Sequence, residues 1–298
     1  MTLLQTSDES STNAPPQPLV VLGVHATTTA VSMVEWAAQE AISRGAALQI
    51  VVCSAATCLT LTCSSVTCED GDGRSLIEAI AATRERHPLL SIEESAIRLD
   101  TQNALIDKTA HADLLIVGEA QLGASTRRLL GSTSGTALRR TSCPVIALRG
   151  QQRQPLRRIA VGVDNSNASA TALDWAADEA HFQGAELIII HAWQRTGRAD
   201  LGEQSLRSID RDRDAAKRLL DDAVVHCTAR LGRAVSSELV DGSPAAALAA
   251  ASVTVDLIAV GSRGSSGYKT MVFGSVARFV LENADCPVAV VHPRVRAA

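Results

Sequence analysis

Four residues in the second half of the chain, Gly261-Ser262-Arg263-Gly264, followed after nine more by Gly274-Ser275, have the types and spacing of a phosphate cradle. Glycine carries no Cβ, so backbone N–H groups in such a turn can approach phosphate oxygens closely. An apolar run, Asp256–Gly261 (DLIAVG), leads into the turn, and Gly274–Glu282 begins a segment with helical patterning. A helix start offers unpaired N–H groups and the positive end of its dipole to an anion. The Ser275 hydroxyl can cap that helix or donate to a phosphate. Arg263 between the glycines and Val276 beside Ser275 complete this stretch. The competing reading is turn glycines followed by an ordinary helix start.

Two further segments belong with it. Gly162-Val163-Asp164 closes another apolar run, and a carboxylate there can accept hydrogen bonds from ribose hydroxyls or an adenine amine. Asn165 and Ser166 follow, so Asp164 equally suits an Asx turn or helix cap. Val240-Asp241-Gly242-Ser243-Pro244 passes from a strand to a helix, and Gly242 either shapes the pocket wall or only makes the turn.

The elements that must hold these residues come as a repeat. Trp36-Ala37-Ala38-Gln39-Glu40-Ala41 matches Trp175-Ala176-Ala177-Asp178-Glu179-Ala180 at an offset of 139 (175 − 36), and Cys143-Pro144-Val145 matches Cys286-Pro287-Val288 at 143 (286 − 143). A period this long marks a duplicated domain rather than a solenoid. Residues 1–18 read as a disordered tail without the basic start and apolar run of a signal peptide. Residues 19–150 and 156–293 form the two domains, with a Gln/Arg/Pro linker between.

Apolar runs alternate with helical segments in both halves. In half two, strands are expected at Ile159–Val163, Glu186–Trp193, Ala234–Val240, Asp256–Gly261 and Pro287–His292. Helices fall at Ala168–Phe182, Ser205–Leu231, Pro244–Ser252 and Gly274–Glu282. Half one follows suit, with the successive elements Leu19–Val24, Ala30–Ser43, Leu48–Cys53, Ser75–Arg86, Ile92–Leu99, Leu105–Ala110, Asp113–Gly118, Gly131–Arg140 and Val145–Arg149. Strands separated by helices imply parallel pairing with right-handed crossovers, hence an α/β fold of two tandem doubly wound five-stranded sheets, Rossmann-like.

Bulk properties exclude several classes. A net charge of −4 with no long basic run argues against nucleic acid. No apolar stretch approaches the ~20 residues that span a bilayer, and a cytoplasmic protein is expected. Cys53, Cys58, Cys63 and Cys68 recur every five residues, a spacing that fits no zinc template and reads as a Thr/Ser-rich loop. Cys143 and Cys286 look like small buried hydrophobes.

Gly-x-x-Gly, nine residues, Gly-Ser, with Asp at the end of strand one and the ADCPVAVVH ending (Ala284–His292), resembles the ATP-binding kind of universal stress protein, over Leu19–His292 in tandem. The resemblance implies a strand order of 3-2-1-4-5, with the switch point between strands one and four. It implies ATP, with adenine near Asp164 and the end of strand two at Ala192, ribose near Asp164 and Gly261, and phosphates between Gly264, Gly274 and Ser275. ADP, AMP or a cyclic nucleotide, with or without Mg²⁺, remain open. Members pair through strand five, so Val145–Leu148 and Val288–Val291 are expected to pair, within one chain as a pseudo-dimer or between chains as a homodimer.

Half one keeps the frame: Gly23, Gly118, Gly131 and Ser132 stand where half two has Gly162, Gly261, Gly274 and Ser275. It departs at Gln121 for Gly264, His25 for Asp164 and Thr101 for Gly242. A glutamine adds a side chain where the phosphate should pass, so nucleotide binding is expected mainly in half two. His25 also suits a satisfied strand-end histidine.

No Walker loop, nucleophile elbow or zinc-protease motif occurs, and the seven histidines show no ligand spacing. No nucleophile, base and orienting group are evident together. The expectation is a nucleotide-binding regulatory protein of stress or slowed growth, with a signalling partner the sequence does not specify. The alternatives are a slow ATPase and a structural pseudo-dimer acting through a protein partner.

Overall fold

The computed structural model describes residues 17–25, 30–54, 60–62, 65–67, 71–98, 104–118, 141–194, 202–264 and 274–293. The expected tail thus lies almost wholly outside the described residues, as do Cys58, Cys63 and Cys68.

Half one runs β1 (Leu19–His25), α1 (Ala30–Arg44), β2 (Ala47–Ser54), β3 (Thr60–Thr62), β4 (Ser65–Thr67), α2 (Gly71–Arg86), β5 (Ile92–Arg98), α3 (Ala104–Lys108), β6 (Leu114–Gly118) and β7 (Val145–Leu148). Half two runs β8 (Arg158–Gly162), α4 (Asn167–Gln183), β9 (Glu186–Trp193), α5 (Gly202–Leu231), β10 (Ser236–Asp241), α6 (Pro244–Ala251), β11 (Leu257–Gly261), α7 (Ser275–Asn283) and β12 (Val288–Val291). The expected elements are present to within a few residues wherever they fall among the described ones. The helix expected at Gly131–Arg140 lies outside them. The small hairpin of β3 and β4, with Leu61 opposite Val66, is an addition inside the Thr/Ser-rich stretch.

Each half pairs its strands in parallel as 3-2-1-4-5: β5-β2-β1-β6-β7 and β10-β9-β8-β11-β12. The two five-stranded sheets do not stay separate. The fifth strands β7 and β12 pair antiparallel, Val288 with Ala147 and Val290 with Val145, making one ten-stranded sheet. All residues of β7 and β12 are buried, as continuous apolar runs covered by helices on both faces should be. Side chains alternate between faces: Val20 and Leu22 join one core cluster, Val21 the other. Each cluster draws on both halves, so the hydrophobic core is continuous across the join.

The helices meet across the join too, and there the core is charged. Glu40 of α1 and Glu179 of α4 occupy matching positions of the repeat, and both are fully buried. Arg44 bridges them, with Nε 2.7 Å from Glu40 Oε1 and Nη2 donating to Glu179 Oε2. Gln183, the repeat counterpart of Arg44, donates to Glu40 Oε2 at 2.8 Å and Glu179 Oε1 at 2.9 Å. The Arg44 guanidinium lies over the rings of Trp175 and Phe182 at 5.8 and 5.3 Å. Two buried carboxyl groups thus share one guanidinium. Burial, and next the Glu40 carboxyl, push the Glu179 carboxyl up to about 8.

Candidate functional site

A doubly wound sheet opens a crevice where its strand order reverses, here between the carboxyl ends of β8 and β11. A cavity of about 300 Å³ lies at that point. Gly162, Val163 and Asp164 line it from the end of β8, and Ile190, His191 and Ala192 from β9. Gly261 ends β11, Arg263 and Gly264 follow it, and Gly274 to Ala277 form the start of α7. Ten of the eleven half-two residues expected from sequence are therefore brought together. Gly242 is the exception. It stands outside the lining, with φ at 145° and its N–H donating to Trp193 O at 2.9 Å. That backbone region disfavours any residue with a Cβ, so turn geometry accounts for this glycine.

The glycines of the motif do different jobs. A Cβ on Gly261 would lie 2.7 Å from the Ala168 carbonyl carbon and 2.9 Å from Ser169 N. Its missing side chain admits the first turn of α4, not a ligand. A Cβ on Gly264 would lie 2.7 Å from Asp164 Oδ2, and one on Gly274 would lie 3.2 Å from Gly264 N. Gly274 N donates to Ser262 O at 2.9 Å. Gly264 and Gly274 therefore meet at the cavity rim. Residues 265–273 lie outside the described residues.

Asp164 makes the Asx turn that its sequence context allows, and Ser166 supplies the helix cap. Asp164 Oδ1 accepts the Ser166 N–H at 3.1 Å, an Asx turn in which Asn165 takes a left-handed φ of 63°. Ser166 then caps α4, accepting from Ser169 N at 3.1 Å. Oδ2 faces Gly264. Ser166 Oγ also reaches Arg263 O at 3.5 Å, tying the turn after β8 to the one after β11.

Several lining residues were not expected. His191 Nδ1 lies 2.7 Å from Val163 O. A carbonyl only accepts, so Nδ1 carries the proton. Ser169 Oγ accepts the Asp164 N–H at 3.2 Å. Pro244 and Leu248 of α6 form an apolar wall, with Leu248 packed against Gly162. Leu248 was detectable through the repeat, since its counterpart Leu105 packs against Gly23 in the same way. α7 begins at Gly274 without a side-chain cap, which leaves its first turn facing the cavity.

Half one shows a fourth departure beside Gln121, His25 and Thr101. A Cβ on Gly118 would meet Met33 Sδ at 2.6 Å, where its counterpart Gly261 meets helix backbone. Met33 stands where the repeat has Ala172. Gly131, Ser132, Thr101 and Gln121, and the side chain of His25, lie outside the described residues. Buried Cys143 and Cys286 behave as inert thiols, pushed up to about 11 and about 12 chiefly by burial. Among the described residues no group of three or more His, Cys, Asp or Glu could hold a metal, and no helix is long and apolar enough to cross a membrane.

A doubly wound sheet with a glycine-lined crevice at its switch point defines the class of fold. The chain matches the universal stress protein family over residues 19–149 and again over 155–292, and it belongs to that family. It is 28% identical to universal stress protein Rv2005c of Mycobacterium tuberculosis over 293 residues, covering 91% of this chain and 96% of that protein. It is 29% identical to Rv2623 of the same organism over 290 residues, covering 91% and 95%. Among solved structures it superposes on a universal stress protein from Archaeoglobus fulgidus with a TM-score of 0.60, at 19% identity and 92% and 96% coverage. The functionally unknown protein PA1789 of Pseudomonas aeruginosa gives a TM-score of 0.67 at 15% identity, covering 94% of each chain.

Proposed function

We propose that this universal stress protein binds an adenine nucleotide, ATP foremost, in half two, and acts as a regulatory binding protein in stress or dormancy. The observation that carries this reading is the cavity at the β8–β11 switch point, where Gly264 faces the carboxylate of Asp164 and Gly274 lies against Gly264. Its volume is at the lower end of the range that takes small ligands. The donor set suits the ligand: Gly264, Ser275 and Val276 offer N–H groups and a helix dipole to phosphates, and Gly274, with no side chain, leaves the approach to them open. Arg263 adds a positive charge at the rim. Asp164 suits ribose hydroxyls. Val163, Ala192 and the apolar wall of Pro244 and Leu248 suit a flat base. ADP, AMP or a cyclic nucleotide fits the same adenosine contacts, and Mg²⁺ would enter with the phosphates.

In this reading residues 19–150 form a degenerate partner domain and 156–293 the nucleotide-binding domain. The pair is an intrachain pseudo-dimer that signals through a protein partner rather than by catalysis. The test is direct. Denatured pure protein should release ATP, ADP or AMP detectable by mass spectrometry, and nucleotide-free protein should give heat on ATP titration. A nucleotide-free preparation that gives no heat overturns the reading. Turnover at buffer background accompanies a binding role, and turnover abolished by Ser275→Ala would indicate an enzyme instead.

A further inference from the structure

We propose that Arg149, a half-one residue, is a positioning residue for the phosphate end of the half-two site; this rests on the nucleotide reading above. Arg149 follows β7 and reaches the far end of α7, the helix whose first turn lines the cavity. Its Nη1 donates to Leu281 O and lies 3.4 Å from Val280 O, and its Nη2 donates to Glu282 O at 3.2 Å. The last carbonyls of a helix have no partner within it. α7 does not end in a left-handed glycine but in Ala284, with φ −70° and ψ 149°. A guanidinium from the other half takes that place.

The neighbouring residues reinforce the grip. Gly150 has φ 55°, and a Cβ on it would lie 2.2 Å from Asp285 O. Gln151 N donates to the same oxygen at 2.8 Å. The segment leaving β7 is therefore moulded to the end of α7. At about 1.5 Å per residue, α7 is a rod of roughly 13 Å. Anchoring its far end fixes the direction of its near end, where Ser275 and Val276 point their N–H groups. A cation at the negative pole also leaves the positive pole less opposed. The repeat counterpart of Arg149 is His292, so the guanidinium is supplied by half one alone.

The test uses the full chain with Arg149→Met, which keeps the stem, and Arg149→Lys, which keeps a cation. ATP affinity is measured by calorimetry, adenosine affinity by displacement, and the Val276 methyl resonances in ligand-free protein. Arg149→Met should weaken ATP about tenfold, the size of an ordinary site-to-site coupling, and adenosine by less than about twofold. Arg149→Lys should recover part of the loss, and the Val276 methyls should shift in the Met variant. Unchanged ATP affinity, equal loss of ATP and adenosine, or unshifted Val276 methyls overturns the proposal. Wild-type protein that binds neither ligand defeats the nucleotide reading itself, while the Val276 shift still reports on the brace.

Discussion

Asp164 and Gly264 face each other so closely that a methyl group on the glycine would come within 2.7 Å of the carboxylate Oδ2. The neighbour is the end of a side chain that also accepts the Ser166 N–H through Oδ1. Adding bulk at 264 therefore turns the carboxylate away or breaks the turn. Gly264→Gln, which copies Gln121 of half one, should weaken ATP binding about tenfold or more, about 1.4 kcal/mol. Calorimetric titration checks it, and an affinity equal to wild type would mean that the phosphates lie elsewhere.

Gly261→Ala should act on stability instead. The atoms its Cβ meets are backbone of Ala168 and Ser169, which cannot rotate away. A loss of about 1–3 kcal/mol is expected, as for other overpacked sites. Gly162→Ala meets only the Leu248 side chain and should cost less. Denaturant midpoints of the two variants make the comparison, and equal losses would contradict it.

The contrast shows how the site was legible in sequence and where it was not. Glycine spacing located the cavity, because a strand end and a helix start fix where the loop must lie. The same spacing did not say that Gly261 serves helix packing while Gly264 faces Asp164. That distinction depends on the angle at which α4 crosses the sheet. Apolar runs gave the strands, and repeat matching gave the two halves. The fused sheet came only as an implication of family resemblance, since nothing in VIAL or VAVV states which edge is paired. Met33 against Gly118 and the Glu40–Arg44–Glu179 cluster were silent for the same reason: each needs two helices placed in space.

That cluster makes stability depend on pH. The Glu179 carboxyl rises from the 4.5 of a free glutamate to about 8 in the fold, through burial first and the Glu40 carboxyl next. The folded state thus holds a proton that the unfolded chain releases above 4.5, so its stabilising effect is complete below 4.5 and is lost as pH rises toward about 8. Glu179→Gln should flatten this fall in a series of denaturation curves from pH 5 to 9. A wild-type curve that stays level over that range would count against a protonated Glu179.

Ser166→Ala removes the cap of α4, whose hydroxyl accepts from Ser169 N at 3.1 Å and also reaches Arg263 O. The cap should be worth about 0.5–2 kcal/mol. Because the hydroxyl spans the turns after β8 and β11, ATP affinity should fall with stability. A variant that loses stability yet binds ATP as tightly as wild type would show that the tie to Arg263 is idle.

The β7–β12 pairing has one more consequence. In a dimer of identical subunits every substitution is written twice, once on each side of the axis. Here the two sides sit on one chain and change separately. In the repeat, Arg44 corresponds to Gln183, Arg149 to His292, and Gln121 to Gly264. Each half can therefore change without its twin, an independence that a symmetric pair cannot reach.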